Sequence, residues 1–455
     1  LASLAKTNDL YYLHPSFGYY FEVFYLEPRG LIYQIKTLPD DTLLPPTPDT
    51  NLVAENENFW AQAEKTALSP VEKKLAPPEQ AAPSSRGQKL LAQLHVSPDQ
   101  DEDAVVAGAY YSRSLDFWGV QLQRAGDLAN AAVHFQTALK LNPDNVVAKI
   151  NLQFNQTLRA GGTAPVDLSR TTSDQFGKYH DWNEVLNANG PFDEPSFCFE
   201  DGVICARGGL LRQGVAPFER VRQLAPDNLS ARLWLAQLYL ASRLPDRALD
   251  ALRGPLNEPG KFSISETNAI QINVLASAAY FQKNDTGHGT QLLEGEISRH
   301  PTNDNLLVTA AQVYLARGLY TNALAVVNHK LRITPDDPTW LFTRGYVFLQ
   351  LKDYDASVSA LTRVLSIETN NPQALYNRAV AYLDSGKLDA ARADYENLLQ
   401  TYTNSFQAAY GLQEIAWRGH ETNDAIKYCG IYLANAKTNT TEFTNILQRL
   451  RELQK

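Results

Sequence analysis

The chain has 455 residues, 44% of them hydrophobic and 20% charged, which is enough apolar content for a real core and too much for a disordered polypeptide. Fifty acids against 41 bases give a net charge of −9, spread along the chain, which argues against a nucleic-acid footprint or a strongly anionic membrane partner. No run of 18 apolar residues, the length of a bilayer-spanning helix, occurs. A chain that opens on Leu1 and holds no methionine reads as following a removed segment, as a fragment, or as a sequence from which methionines were lost. Cys198, Cys205 and Cys429 are too few for a disulfide framework and read as small buried residues, compatible with cytoplasm or periplasm.

In chain order, residues 1–36 are an aromatic segment, with nine Tyr and Phe between Tyr11 and Lys36. Residues 19–36 alternate as strands do, around a turn expected at Glu27, Pro28, Arg29 and Gly30, which predicts a β-hairpin. Both of its faces are apolar, so it needs a third partner: the rest of the chain, another subunit's sheet edge, or a membrane interface. Residues 37–101 hold nine of the 24 prolines and read as a linker or wrapped arm with short helices, Phe59 and Trp60 marking a patch that docks onto the first repeats.

From residue 102 to 439 the chain repeats. Blocks Asp304–Asp337, Pro338–Asn371, Pro372–Ser405 and Phe406–Asn439 are each 34 residues long. Their eighth positions hold Ala311, Gly345, Ala379 and Gln413, and their twentieth Ala323, Ser357, Ala391 and Ala425. Small residues recur where two helices must approach closely, and bulk (Tyr314, Phe348, Tyr382) recurs at the eleventh. Upstream, Gly119, Ala131, Phe135 and Pro143 keep the same offsets, as do Ala236, Tyr239 and Ala248, and more weakly Gly202, Gly214, Phe218 and Pro226. An insertion at about 160–194, with Tyr179 and Trp182, reads as a surface loop with a displaced second helix. Residues 440–455 carry Phe443, Ile446, Leu447 and Leu450 at helical spacing and read as a capping helix.

This pattern resembles the tetratricopeptide repeat. The resemblance implies an all-α, right-handed superhelical solenoid of about eight to nine helix-turn-helix units, here with the N-terminal hairpin and proline-rich arm. It also implies that the first helix of each unit lines a concave groove. Carried over by register, the groove holds Thr339, Phe342, Tyr346 and Gln350 in one repeat, Gln373, Tyr376 and Asp384 in the next, and Gln407, Tyr410, Glu414, Trp417 and Arg418 in the last. Aromatic and amide side chains suit a protein or extended-peptide partner. The Lys-and-Asn clamp with which some family members hold a C-terminal carboxylate is replaced by Phe342, Tyr376 and Tyr410.

Zinc-protease, nucleophile-elbow, P-loop and dinucleotide motifs are absent, and the eight histidines show no ligand spacing, so no catalytic residue, metal or cofactor is expected. The stretch Asp285–Thr290, "DTGHGT", resembles pieces of protease motifs, but its Gly289 falls on a twentieth position and its Asp285 in a turn. A second resemblance covers about the first 50 residues. The runs "YYLHPSFGYYFE" and "FYLEPRGLIYQIK" are similar to the segment after the last membrane span of bacterial protein O-mannosyltransferase-like proteins with tetratricopeptide tails. It implies a membrane-associated, extracytoplasmic accessory tail on the periplasmic side, without the transferase's own carboxylates.

Overall fold

The computed structural model describes residues 4, 8–13, 19–38, 42–76, 101–163, 166, 176, 179 and 181–454. They form two compact units, Leu1–Asn284 and Asp285–Lys455. Much of the proline-rich arm (77–100) and of the insertion therefore lies outside the described residues, as does part of the aromatic segment.

In the first unit a three-stranded antiparallel sheet, ordered β1-β3-β2, is built from β1 (Tyr11–Tyr12), β2 (Phe24–Arg29) and β3 (Ile32–Thr37). The expected hairpin is present, but its turn is Gly30 and Leu31, with Arg29 paired to Ile32. Gly30 sits at φ +67°, the left-handed first position of a tight two-residue hairpin. Pro28 therefore stays inside β2, where an edge strand tolerates its missing N–H. Residues Tyr19–Glu22, expected as strand, form a turn of 3₁₀ helix instead.

The third partner that the hairpin needed comes from the chain itself. Tyr33, 1% exposed, meets Phe117 edge to face at 4.8 Å. Helix α1 (Thr50–Ala63) runs through a π-turn (Glu64–Leu68) into α2 (Ser69–Leu75), one continuous rod in place of short helical patches. Its buried Asn56 accepts from Gly30 N–H at 2.8 Å and donates to Pro28 O at 3.0 Å, pinning the hairpin turn to the helix. Trp60 enters a core with Trp118, Leu115 and Phe135, so the Phe59–Trp60 patch docks on the first repeat.

The helix pairs come next. Helices α3 (Glu102–Arg124) and α4 (Leu128–Leu141) pack against each other, then come α5 (Val146–Arg159) and a short α6 (Trp182–Asn189). The pairs α7 (Pro195–Arg207) with α8 (Leu211–Leu224) and α9 (Leu229–Ala241) with α10 (Pro245–Asn257) precede α11 (Glu266–Gln282). The described part of the insertion is core rather than surface loop: Phe176, Trp182 and Phe192 are buried together with Val147 and Val185.

The second unit begins with α12 (Thr286–Arg299), whose N-cap is Asp285, so the protease-like stretch is a helix start. Four pairs complete its array: α13 (Asp304–Ala316) with α14 (Tyr320–Ile333), α15 (Pro338–Gln350) with α16 (Tyr354–Ile367), α17 (Pro372–Asp384) with α18 (Leu388–Thr401), and α19 (Phe406–Arg418) with α20 (Thr422–Asn435). Helix α21 (Thr441–Leu453) closes the unit, burying Ile446 with Tyr432 and Cys429. Small residues at the eighth position have a direct cause: a Cβ on Gly345 would stand 2.6 Å from Leu361 Cγ. Ser357, at the twentieth position, donates to Gly345 O at 2.8 Å. Among the described residues no helix is long and apolar enough to cross a membrane.

Candidate functional site: a groove of first helices

Within the second unit, α15, α17 and α19 are the first helices of successive pairs, and α17 touches both of the others. Asp337, Asn371 and Ser405 cap their N-termini, so the three start in the same register. The side chains assigned to the groove all lie on these three helices. Phe342, Tyr346 and Tyr376 are half-buried, Thr339, Gln350, Gln373, Asp384 and Gln407 are exposed, and Tyr410 is 41% exposed. Tyr376 meets Tyr395 obliquely at 6.2 Å, and Tyr410 meets Tyr432 at 5.7 Å, so each ring is held by a ring of the neighbouring second helix. Burial, with Tyr410 and Asp384 nearby, pushes the Tyr376 phenol above its ordinary value, so it stays a neutral hydrogen-bond donor at neutral pH.

The far end of this surface is already engaged by the last helix. Arg449 of α21 lies over the Trp417 ring at 4.6 Å and donates to Gln413 and to Glu414 Oε2, both at 2.8 Å. Arg418 donates to Glu414 Oε1 at 2.9 Å. Burial alone would raise the Glu414 carboxyl; the two arginines outweigh it and hold it below its ordinary value. Glu414 and Trp417 are therefore tied to the cap, and Arg418 to Glu414, although Trp417 and Arg418 stay exposed.

In the first unit such a surface holds the end of one helix and the short non-helical segment that follows it. Residues 187–193, the last turn of α6 and the non-helical segment after it, form a strap across α3 and α5, the first helices of that unit's leading pairs. Arg113 donates to Asn187 O at 3.2 Å, Asn145 to Asn189 O at 3.0 Å, Asn151 to Pro191 O at 2.9 Å and Arg124 to Phe192 O at 3.2 Å. Asn151 also accepts from Asp193 N–H, and so brackets Phe192 through the peptide groups on either side of it. The strap's end is locked by Asp193, fully buried, which takes Arg124 at 2.7 Å and Arg220 at 2.6 Å. At Gly190, φ +110°, a Cβ would lie 2.5 Å from Asp116 Oδ2, so only glycine lets the strap lie this close. Repeat register does not single out these gripping residues. The signal available in the sequence is the unusual run of Asn145, Asn151 and Asn155 in and just before one helix.

Two tetratricopeptide-repeat family models match the chain, over residues 305–374 and 348–415. No curated protein matches. Among solved structures, a tetratricopeptide repeat protein from Parabacteroides merdae is 15% identical and aligns over 57% of this chain and 99% of its own, with a TM-score of 0.38. The C-terminal part of a repeat-containing protein from Cytophaga hutchinsonii is 14% identical over 55% and 99%, with a TM-score of 0.44. YrrB, described as having an unusual peptide-binding site, is 15% identical over 43% and 97%, with a TM-score of 0.32. The likeness of the first 50 residues to O-mannosyltransferase-like proteins gains no support from these comparisons.

Proposed function

We propose that this chain, a tetratricopeptide-repeat protein, is an interaction scaffold that captures an extended segment of a partner protein on α15, α17 and α19. The observation that carries this is the periodic placement of Phe342, Tyr376 and Tyr410, which share one repeat position and are all at least partly exposed. Such rings offer contact area at little entropic cost, and Gln350, Gln373 and Gln407 beside them suit backbone amides. The strap on α3 and α5 supports the same chemistry, because this fold's first-helix face there holds non-helical backbone, the Pro191 and Phe192 carbonyls, through the Asn151 amide and the Arg124 guanidinium. No nucleic acid, metal or cofactor enters the reading, and it gives the chain no catalytic step.

Peptides selected by display on the intact chain test the reading. Their affinity should fall at least about tenfold in Tyr376→Ala with Tyr410→Ala, the scale of losing aromatic anchors at an interface. Unchanged affinity in a variant with wild-type circular dichroism would rule out the groove as the capture surface.

A further inference from the structure

The first unit holds space that its helix pairs do not fill. A cavity of about 680 Å³ lies among the N-terminal sheet, residues 43–49, the strap and helices α3, α7 and α8. Small-molecule sites usually measure about 300–1,000 Å³, and well-packed interiors leave few voids larger than a water molecule. Its walls are fixed independently of any occupant. Glu22 accepts from the backbone N–H groups of Arg212 and Gln213 and so ties the 3₁₀ turn that carries Phe21 to α8, while Asp193 anchors the strap.

Four residues of α8, Arg212, Ala216, Arg220 and Gln223, line the cavity at i, i+4, i+8 and i+11, the spacing of one helix face. The two arginines of that face are served differently. Arg220 gives its Nε and Nη2 to the two oxygens of Asp193, at 2.9 and 2.6 Å, where Arg124 joins it. Arg212, about two turns earlier, has no such acid. Glu22 takes only its backbone N–H, and its guanidinium makes no ion pair or hydrogen bond among the described residues. The acids that reach the cavity are engaged elsewhere: Glu27 by Arg29, Asp49 by the Leu52 N–H, and Glu219 by Arg222 and the Tyr239 hydroxyl. Asp201 accepts from the Trp182 indole at 3.2 Å and has the charge of Arg124 beside it. Phe21, Phe24 and Phe117 supply apolar surface to the same space. A half-buried guanidinium that lines an apolar cavity without an acceptor suits a carboxylate, whose two oxygens match its planar fork.

We propose that this cavity binds a small, mostly apolar monocarboxylate, its body among Phe21, Phe24 and Phe117 and its carboxylate on the Arg212 guanidinium. The site is separate from the groove of the second unit, and the inference does not depend on that reading.

Calorimetric titration of the full chain at pH 7.5 with 4-phenylbutyrate, 4-phenylbutanol and 4-phenylbutylamine tests it, since the three probes differ only in their polar end. The carboxylate should bind about three- to tenfold more tightly than the alcohol, the scale of a guanidinium–carboxylate contact that water partly screens, and the amine most weakly. Arg212→Gln should bring the carboxylate down to the alcohol's affinity. Ala216→Phe, which fills the cavity from α8, should abolish binding of all three; Leu44→Trp blocks it from another segment of chain should the first variant not fold. The proposal is overturned if no probe binds at millimolar concentration, if the alcohol or the amine binds as tightly as the carboxylate, or if a folded blocking variant or Arg212→Gln binds the carboxylate as wild type does.

Discussion

At Gly345 the repeat's demand for smallness is a matter of one methyl group, because the added carbon would meet Leu361 at 2.6 Å. Gly345→Ala should cost about 1–3 kcal/mol in thermal or denaturant unfolding, the usual range for overpacking a core. Lys352, in the turn after α15, carries the opposite strain, since its φ of +60° suits glycine better than a residue with a Cβ. Lys352→Gly should therefore leave stability equal or raise it by up to about 1 kcal/mol. Asp201 gives a pH signature. Burial raises its carboxyl to about 6, from an unfolded value of 3.8, so the folded chain keeps a proton that the unfolded chain has lost. Its contribution is complete below the unfolded value and is lost as pH rises through the folded one. Asp201→Asn should thus gain on wild type between about pH 4 and 6 in urea titrations, with a constant difference above that. The eighth-position glycine was legible in the sequence because small residues recur there every 34 residues. Asp201 was not, because its environment is assembled from Trp182 and Cys205 on different helices.

Elements of the repeat proper were legible for a related reason: the first helices of the second unit's pairs start on their own caps, Asn303, Asp337, Asn371 and Ser405, so local sequence and tertiary pairing agree. The N-terminal elements were less so. Tyr19–Glu22 has the alternation of a strand, yet it turns into 3₁₀ helix where Glu22 reaches α8. Helix α8 has Leu210 at its N-cap and no capping side chain of its own, and Glu22 fills that role from 190 residues away. Glu22→Ala should destabilise the first unit by about 0.5–2 kcal/mol, the loss expected of a helix cap, and speed amide exchange at Arg212 and Gln213. Glu22→Gln, which keeps an acceptor, should fall between the two. An equal effect of both substitutions, with no change at those amides, would mean that Glu22 acts through packing rather than as a cap.

Across the whole molecule one device is used in two ways. In the first unit the first-helix face holds the chain's own strap through Arg113, Asn145, Asn151 and Arg124. In the second unit the first helices carry Phe342, Tyr346, Tyr376 and Tyr410, three half-buried and the last exposed. Register predicts which residues line that second face but not that α21 engages Glu414 and Trp417, because Arg449 lies outside the repeat pattern. Nor can spacing alone show the strap, whose partners are asparagines that also serve as ordinary caps and turn residues. Hydrogen–deuterium exchange of the intact chain with and without a display-selected peptide separates the open face from the occupied one. Capture on the open face predicts new protection on α15, α17 and α19, with the strap unchanged; protection confined to the first unit, or to the second helices of the pairs, would contradict it.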